Sequence, residues 1–124
     1  CNDWITSFIP LYLKTTYKND PLFKSSKTVF TIYNNSFTHK FKGDLMGKVK
    51  MMDIEDNMLG HLKTADYEGF IKLGAQYADV VSTAGDNKKL EGLVKKIKEK
   101  KIENSEKDDN YTESFYNLYN ELVG

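Results

Sequence analysis

The sequence predicts a helix-rich α/β fold with few strands, arranged as part of a parallel sheet. Two segments are rich in β-branched or aromatic residues and read as strands, Lys27–Tyr33 and Val80–Thr83. Segments with helical spacing surround them, and one leads directly into the second strand, as in a β-α-β unit. At 124 residues, the chain is long enough for one domain with its own core.

The first element is a helix that Asp3 caps and that extends to about Tyr17. Pro10 lies inside this pattern, so we expect a bend or a late start. A turn at 19–21 then ends the helix. The apolar residues at helical spacing are Ile5, Phe8, Ile9, Tyr12 and Leu13.

The strand at Lys27–Tyr33 should lie near the centre of the sheet. Residues 34–43 mix polar and aromatic types without a period, so we expect a long loop leaving its carboxyl end. Ligands bind at that edge of α/β sheets.

The stretch from Asp44 to Leu62 is rich in methionine and partly helical, with four apolar side chains as candidate buried contacts. Asp66 then caps a clearer helix that ends just before Val80. The candidate contacts are Leu45, Val49, Met52 and Leu59. The buried side of the clearer helix is predicted to contain Tyr67, Phe70, Ile71, Gly74, Tyr77 and Ala78.

After a turn at 85–86, Asn87 is predicted to cap a helix running to about Lys101. Its buried side would contain Leu90, Leu93, Val94 and Ile97. Residues 103–110 have no apolar side chain and read as a solvated linker. Thr112 is expected to cap a last helix, whose buried side would contain Phe115, Leu118, Tyr119 and Leu122.

Charge and hydropathy exclude several classes of function. All 18 cationic side chains are lysines, and 18 acids balance them. This balance gives no electrostatic footprint for nucleic acid or an anionic membrane. Apolar runs are far shorter than the roughly 20 residues of a membrane span, and no secretory signal opens the chain. We therefore expect a cytoplasmic protein with no nucleic-acid or membrane partner.

Two strands buried on both faces would leave unpaired edges, so we expect the sheet to be incomplete. A missing chain segment or a second copy in a homo-oligomer would complete it. The chain begins at Cys1 rather than at methionine, which we interpret as truncation rather than as a lipidated or nucleophilic terminus.

Three segments resemble a known family. Asn2-Asp3-Trp4 with the following Pro10–Lys14 resembles the His-Asp-Trp segment and Pro-x-Tyr-Leu-Lys helix of bacterial glycogen and starch synthases. Lys27–Asn34 is similar to the strand that ends in their Thr-x-His-Asn motif. Phe70–Thr83 is similar to their helix-to-strand segment of the form Phe-Leu-Lys-x-Gly-x-x-Tyr-Ala-Asp.

The resemblance implies a two-domain GT-B glucosyltransferase that transfers glucose from ADP-glucose to an α-1,4-glucan. Residues 1–124 would form the C-terminal half of its N-terminal Rossmann-like domain, incomplete at its start and inactive alone. The family positions that bind substrate fall on Asn2, Asp3, Tyr33 and Asn34, and no catalytic residue is assigned. Two of these depart from the family, since Asn2 and Tyr33 each stand where it has His. These departures leave a non-catalytic binding or scaffold domain as the alternative.

The remaining motifs favour structural interpretations. No glycine-rich phosphate loop occurs, and His39 and His61 have no neighbours at metal-ligand spacing, so we expect neither a cofactor nor a metal. We interpret Trp4 as a core anchor in preference to a sugar-stacking platform. The four methionines read as loose core packing or an interaction surface.

Overall fold

The computed structural model describes residues 1–33, 35–51, 53–84, 88–96, 102–104 and 111–124. Its core is a three-stranded parallel sheet of order β1-β2-β3. The strands are β1 (Val29–Ile32), β2 (Val80–Thr83) and β3 (Ile102–Asn104). The register places Val29 opposite Val80, and Val81 opposite Ile102. The predicted α/β class with a parallel sheet is confirmed.

The prediction of only two strands is wrong. β3 includes Glu103 and Asn104, which the sequence assigned to a solvated linker. Strand pairing uses main-chain groups, so a polar segment can still pair with the free edge of a buried strand. The rest of that predicted linker, residues 105–110, lies outside the described residues.

Five α-helices accompany the sheet in the described part of the chain. Two 3₁₀ segments add to them, at Trp4–Thr6 and Asp56–Lys63. The α-helices are α1 (Phe8–Lys14), α2 (Leu45–Val49), α3 (Tyr67–Tyr77), α4 (Lys88–Lys95) and α5 (Tyr111–Val123).

The first helix starts late, as one of the two predictions for Pro10 required. The Asp3 side chain caps the 3₁₀ segment, and Pro10 falls in the first turn of α1, where its missing N–H would have had no partner. The predicted buried face is partly wrong, because Ile5 and Ile9 are exposed while Leu11 is fully buried. The late start and the intervening 3₁₀ turn rotate the face that continuous α-helical spacing assumed.

The helix α3 is central to the packing. Asp66 caps it through a 2.9 Å hydrogen bond from the Gly69 N–H, as predicted. Ile71 packs with the sheet residues Phe30 and Val81 in one apolar cluster. A second cluster contains two further α3 residues together with side chains from α1, from α2, from the 3₁₀ segment Asp56–Lys63 and from the turn before that segment. Its members are Leu11, Val49, Ile54, Leu59, Leu62, Phe70 and Leu73.

The two last helices differ from their predicted bounds. α4 ends at Lys95 rather than near Lys101, with Leu90 and Val94 buried as predicted. α5 begins one residue before the predicted cap Thr112, and Leu118 is its buried anchor. The predictions for 85–86, Asn87, Ile97 and Met52 concern residues outside the described ones.

Candidate functional site at the carboxyl edge of the sheet

Residues 1–3 form a further parallel pairing on the free side of β1. The Thr31 N–H donates to the Cys1 carbonyl at 2.8 Å, and the Asp3 N–H donates to the Thr31 carbonyl at 2.7 Å. β1 is thus paired on both sides, in keeping with the predicted central position. Because these pairings are parallel, Asp3 and Tyr33 emerge at the same carboxyl edge, where α/β folds bind ligands.

Asp3 adopts an unusual backbone conformation. Its φ is 57° and its ψ is −175°, a region that L-residues rarely occupy, and only 8% of the residue is exposed. Its Oδ1 accepts a 2.9 Å hydrogen bond from the Trp4 N–H. A buried carboxylate on a strained backbone next to a ligand-binding edge is the arrangement expected of a functional residue.

Burial raises the pKa of the Asp3 carboxyl above its ordinary value. Hydrogen bonds from the Trp4 N–H and from the side chains of Asn35 and Tyr67 oppose this shift and do not cancel it. Asp3 is therefore a stronger proton acceptor than a solvated carboxylate.

Tyr67 at the start of α3 joins the two sides of this edge. Its hydroxyl donates to the Tyr33 carbonyl at 2.9 Å and lies 3.5 Å from Asp3 Oδ1. Burial, with the nearby charge of Asp3, raises the pKa of the Tyr67 phenol, which stays a neutral donor. The sequence placed Tyr67 on a buried face and missed this role. Its position directly after the cap Asp66, on a helix returning from the edge, was the available signal.

The structure brings together only part of the predicted set of substrate-binding residues. Asn2 is exposed, and its carbonyl accepts a 2.9 Å hydrogen bond from Thr6 Oγ1. Tyr33 follows β1 directly and is 36% exposed. Asn34 lies outside the described residues, whereas its neighbour Asn35, which the sequence did not single out, hydrogen-bonds to Asp3.

Trp4 belongs to an aromatic cluster beneath the loop that follows β1. Its ring centroid lies 4.8 Å from that of Phe37, 5.9 Å from that of Phe41 and 5.7 Å from that of Phe70. These contacts favour the core-anchor interpretation of Trp4. They also hold the loop, since Phe37 and Phe41 belong to it.

The opposite, amino edge of the sheet carries a compact polar cluster. Lys14 Nζ lies 2.8 Å from Asp79 Oδ2, which also accepts hydrogen bonds from the Thr28 N–H at 2.7 Å and from Thr28 Oγ1 at 2.9 Å. Burial acts to raise the pKa of Asp79, but the hydrogen bonds from Lys14 and Thr28 outweigh it and hold this pKa below the ordinary value. Two residues quoted in the family resemblance, Lys14 and Asp79, therefore meet as a structural pair.

The described part of the chain contains neither a candidate metal site nor a helix that could span a membrane. No group of three or more His, Cys, Asp or Glu side chains there is placed to hold a metal ion. His61 hydrogen-bonds to Gln76 instead. Burial and the charge of Lys72 lower the pKa of His61. No helix in the same residues is long and apolar enough to cross a membrane.

The structure defines an α/β domain with a parallel sheet and a buried acid at the carboxyl edge of that sheet. Comparison with known proteins identifies the family. Residues 1–103 match the starch synthase catalytic domain, and the chain belongs to that family.

Similar proteins include several named glycogen synthase. That of Desulforudis audaxviator is 38% identical over 92 residues, covering 67% of this chain and 16% of the relative. That of Clostridium perfringens is 34% identical over 86 residues, covering 69% of this chain and 18% of the relative. That of Thermotoga maritima is 35% identical over 82 residues, covering 66% of this chain and 17% of the relative. The chain thus spans only about a sixth of the length of these relatives. No solved structure matches it.

Proposed function

We propose that the protein is a glucosyltransferase of the glycogen synthase type, which transfers glucose from ADP-glucose to the non-reducing end of an α-1,4-glucan with retention. The family match and the relatives named glycogen synthase support this proposal. Residues 1–124 are then the C-terminal half of the N-terminal Rossmann-like domain of a two-domain GT-B enzyme. Such an enzyme would act in the cytoplasm.

Asp3 is the observation that carries the proposal. A carboxylate with a raised pKa, held in a strained conformation, can accept a hydrogen bond from a sugar hydroxyl more strongly than a solvated acid. The cap bond from the Trp4 N–H and the contact with Tyr67 fix its orientation before substrate arrives. Asp3 therefore positions the sugar, and the donor nucleotide is held mainly by the second domain.

Asn2 and Tyr33 complete the proposed sugar-binding edge, and Asn34 is the further substrate-binding position that the family resemblance implies. Asn2 offers an amide donor and acceptor, and Tyr33 offers a phenol where the family has His. A phenol offers one hydroxyl where an imidazole offers two ring nitrogens, so Tyr33 contributes ring contact and a single hydrogen-bonding group. A slower transferase than its relatives is the expected consequence.

The test is ADP-glucose turnover with glycogen primer by the full-length protein and by its Tyr33→His variant. The full-length protein is required because residues 1–124 are expected to be inactive alone. We expect measurable release of ADP, increased by Tyr33→His because an imidazole offers two ring nitrogens at this position. Tyr33→Phe serves as the matched control, since it keeps the ring and removes only the hydroxyl. Absence of turnover in all three forms would reject the transferase proposal.

The two departures Asn2 and Tyr33 favour a second candidate, a non-catalytic binding or scaffold domain derived from the same family. This candidate predicts glucan binding or assembly with another glycosyltransferase chain without turnover. Glucan affinity measured beside the turnover assay separates the two functions.

A further inference from the structure

A groove of about 390 Å³ lies between the sheet and α5, directly beside the proposed sugar-binding edge. Its volume lies within the range of roughly 300–1,000 Å³ typical of small-molecule sites. On the sheet side it is lined by Asn2, Thr31 and Tyr33, and on the helix side mainly by Phe115, Tyr116 and Tyr119. The groove is thus continuous with two of the residues assigned to substrate.

The helix side of this groove is an aromatic stripe. Tyr119 follows Phe115 by four residues and Tyr116 by three, so its ring lies between theirs on one side of α5. The Phe115 and Tyr119 ring centroids lie 5.8 Å apart, while Tyr116 and Tyr119 are 64% and 50% exposed. Leu118, which is buried, anchors the helix on an adjacent face. The two tyrosine rings therefore remain accessible on a helix that Leu118 anchors.

The lining indicates the chemistry of the ligand. Among the described residues that line this groove, none is charged, and the polar groups are hydroxyls and one amide. A second cavity, between α3 and α4, is instead lined by Lys72, Lys89 and Lys96. A nucleotide or sugar phosphate would require cations, so the aromatic groove suits a neutral ligand.

A pyranose ring matches these features. Its C–H face is apolar and packs flat against an aromatic ring, while its hydroxyls reach amide and phenol groups at the rim. Tyr33 adds a ring on the sheet side, where the family has His. The position that departs from the family therefore enlarges the aromatic surface of the groove.

We propose that the groove binds a neutral α-glucan, with sugar rings stacked on Tyr116 and Tyr119 and the chain leading towards Tyr33 and Asn2. The choice of an α-glucan among neutral carbohydrates rests on the proposed function. α5 follows residue 103, the last residue of the family match.

The test measures maltoheptaose binding to the natural protein by titration calorimetry. The variant that replaces both tyrosines, Tyr116→Ala with Tyr119→Ala, should bind about tenfold more weakly, because two stacking surfaces are lost. The matched double variant with Phe at both positions keeps the rings and should stay within about twofold of the natural protein. Tyr17→Ala, at an exposed tyrosine outside the groove, should have no effect.

Thermal unfolding of each variant checks that the fold is kept, and ADP-glucose turnover in the same samples separates this proposal from the proposed function. Weaker binding by the Ala variant, with no turnover in any form, supports the groove and rejects the transferase. Turnover with unchanged glucan affinity in the Ala variant supports the transferase and overturns the groove. Failure of the natural protein to bind maltoheptaose would also overturn the proposed glucan-binding groove.

Discussion

The two edges of the sheet each hold a buried or half-buried aspartate, and the two side chains are in opposite states. At the amino edge, Asp79 accepts hydrogen bonds from Lys14 and Thr28, and its pKa is lowered. At the carboxyl edge, Asp3 has a strained backbone and a raised pKa. We interpret the amino edge as stabilising the fold, and the strained, buried Asp3 supports the proposal that the carboxyl edge binds a ligand.

The largest expected effect on stability is at the amino edge. Asp79→Ala removes the acceptor for the Thr28 N–H and leaves Lys14 without its partner, so we expect a loss of about 2–4 kcal/mol in the free energy of unfolding. Urea denaturation measures this loss. Asp56→Ala is the control, because the Lys50–Asp56 pair has the same 2.8 Å separation but 77% of the Asp56 side chain is exposed. Its loss should be below about 1 kcal/mol, and equal losses would contradict the assignment.

The next largest effect on stability is expected in α3, the helix that connects the two edges. α3 begins beside Tyr33 and ends before Asp79, and its Gly74 lies against the Phe30 ring, where a Cβ would come within 2.6 Å of Phe30 Cζ. Gly74→Ala should therefore cost about 1–3 kcal/mol by forcing α3 away from β1. Gly92→Ala in α4, where a Cβ meets nothing within 4 Å, should instead leave stability unchanged or raise it by up to about 1 kcal/mol. Denaturant midpoints of the two variants test the contrast.

A smaller effect, of opposite sign, is expected in the segment that follows Asp3. Ser7 is fully buried, and its hydroxyl has no hydrogen-bond partner among the described residues. Ser7→Ala removes an unsatisfied polar group and should raise the free energy of unfolding by about 1 kcal/mol. Thr15→Ala is the comparison, because the buried Thr15 hydroxyl donates to the Leu11 carbonyl at 2.7 Å. Thr15→Ala should not raise the free energy of unfolding. If Ser7→Ala lowers it, the Ser7 hydroxyl has a hydrogen-bond partner.

The smallest effect is a difference in pH dependence. Asp79 has a lowered folded pKa, so its stabilisation is present above the ordinary value of 3.8 and is lost as the pH falls through the folded pKa. Asp3 has a raised folded pKa, so its ionisation penalty is present at neutral pH and disappears as the pH falls through that pKa towards 3.8. At neutral pH Asp79→Asn should be less stable than the natural protein and Asp3→Asn more stable, and both differences should shrink on acidification. Parallel curves would contradict the two pKa directions.

The sequence predicted the elements that depend on local signals. Asp66 as a cap, β1, β2 and the loop after β1 follow from propensity and turn chemistry. It failed where main-chain pairing or a change of helix type decides the structure, as in β3 and at the exposed Ile5 and Ile9.

The site was predictable only in part. Asp3 and Tyr33 were identified through the family resemblance. Tyr67 and Asn35 reach Asp3 through tertiary folding, and the one signal in the sequence was the position of Tyr67 directly after the cap Asp66. The pair formed by Lys14 and Asp79 spans 65 positions and was likewise invisible.

The most direct test of the contrast between the edges measures stability and ADP-glucose turnover together for Asp3→Asn and Asp79→Asn in the natural protein. Asp3→Asn should reduce turnover by roughly 100-fold or more with stability unchanged or raised, because it removes both the charged acceptor that positions the sugar hydroxyl and the burial penalty. Asp79→Asn should lower stability and keep turnover per folded molecule. Retained turnover in Asp3→Asn, or loss of turnover in folded Asp79→Asn, would contradict the assignment of function to the carboxyl edge.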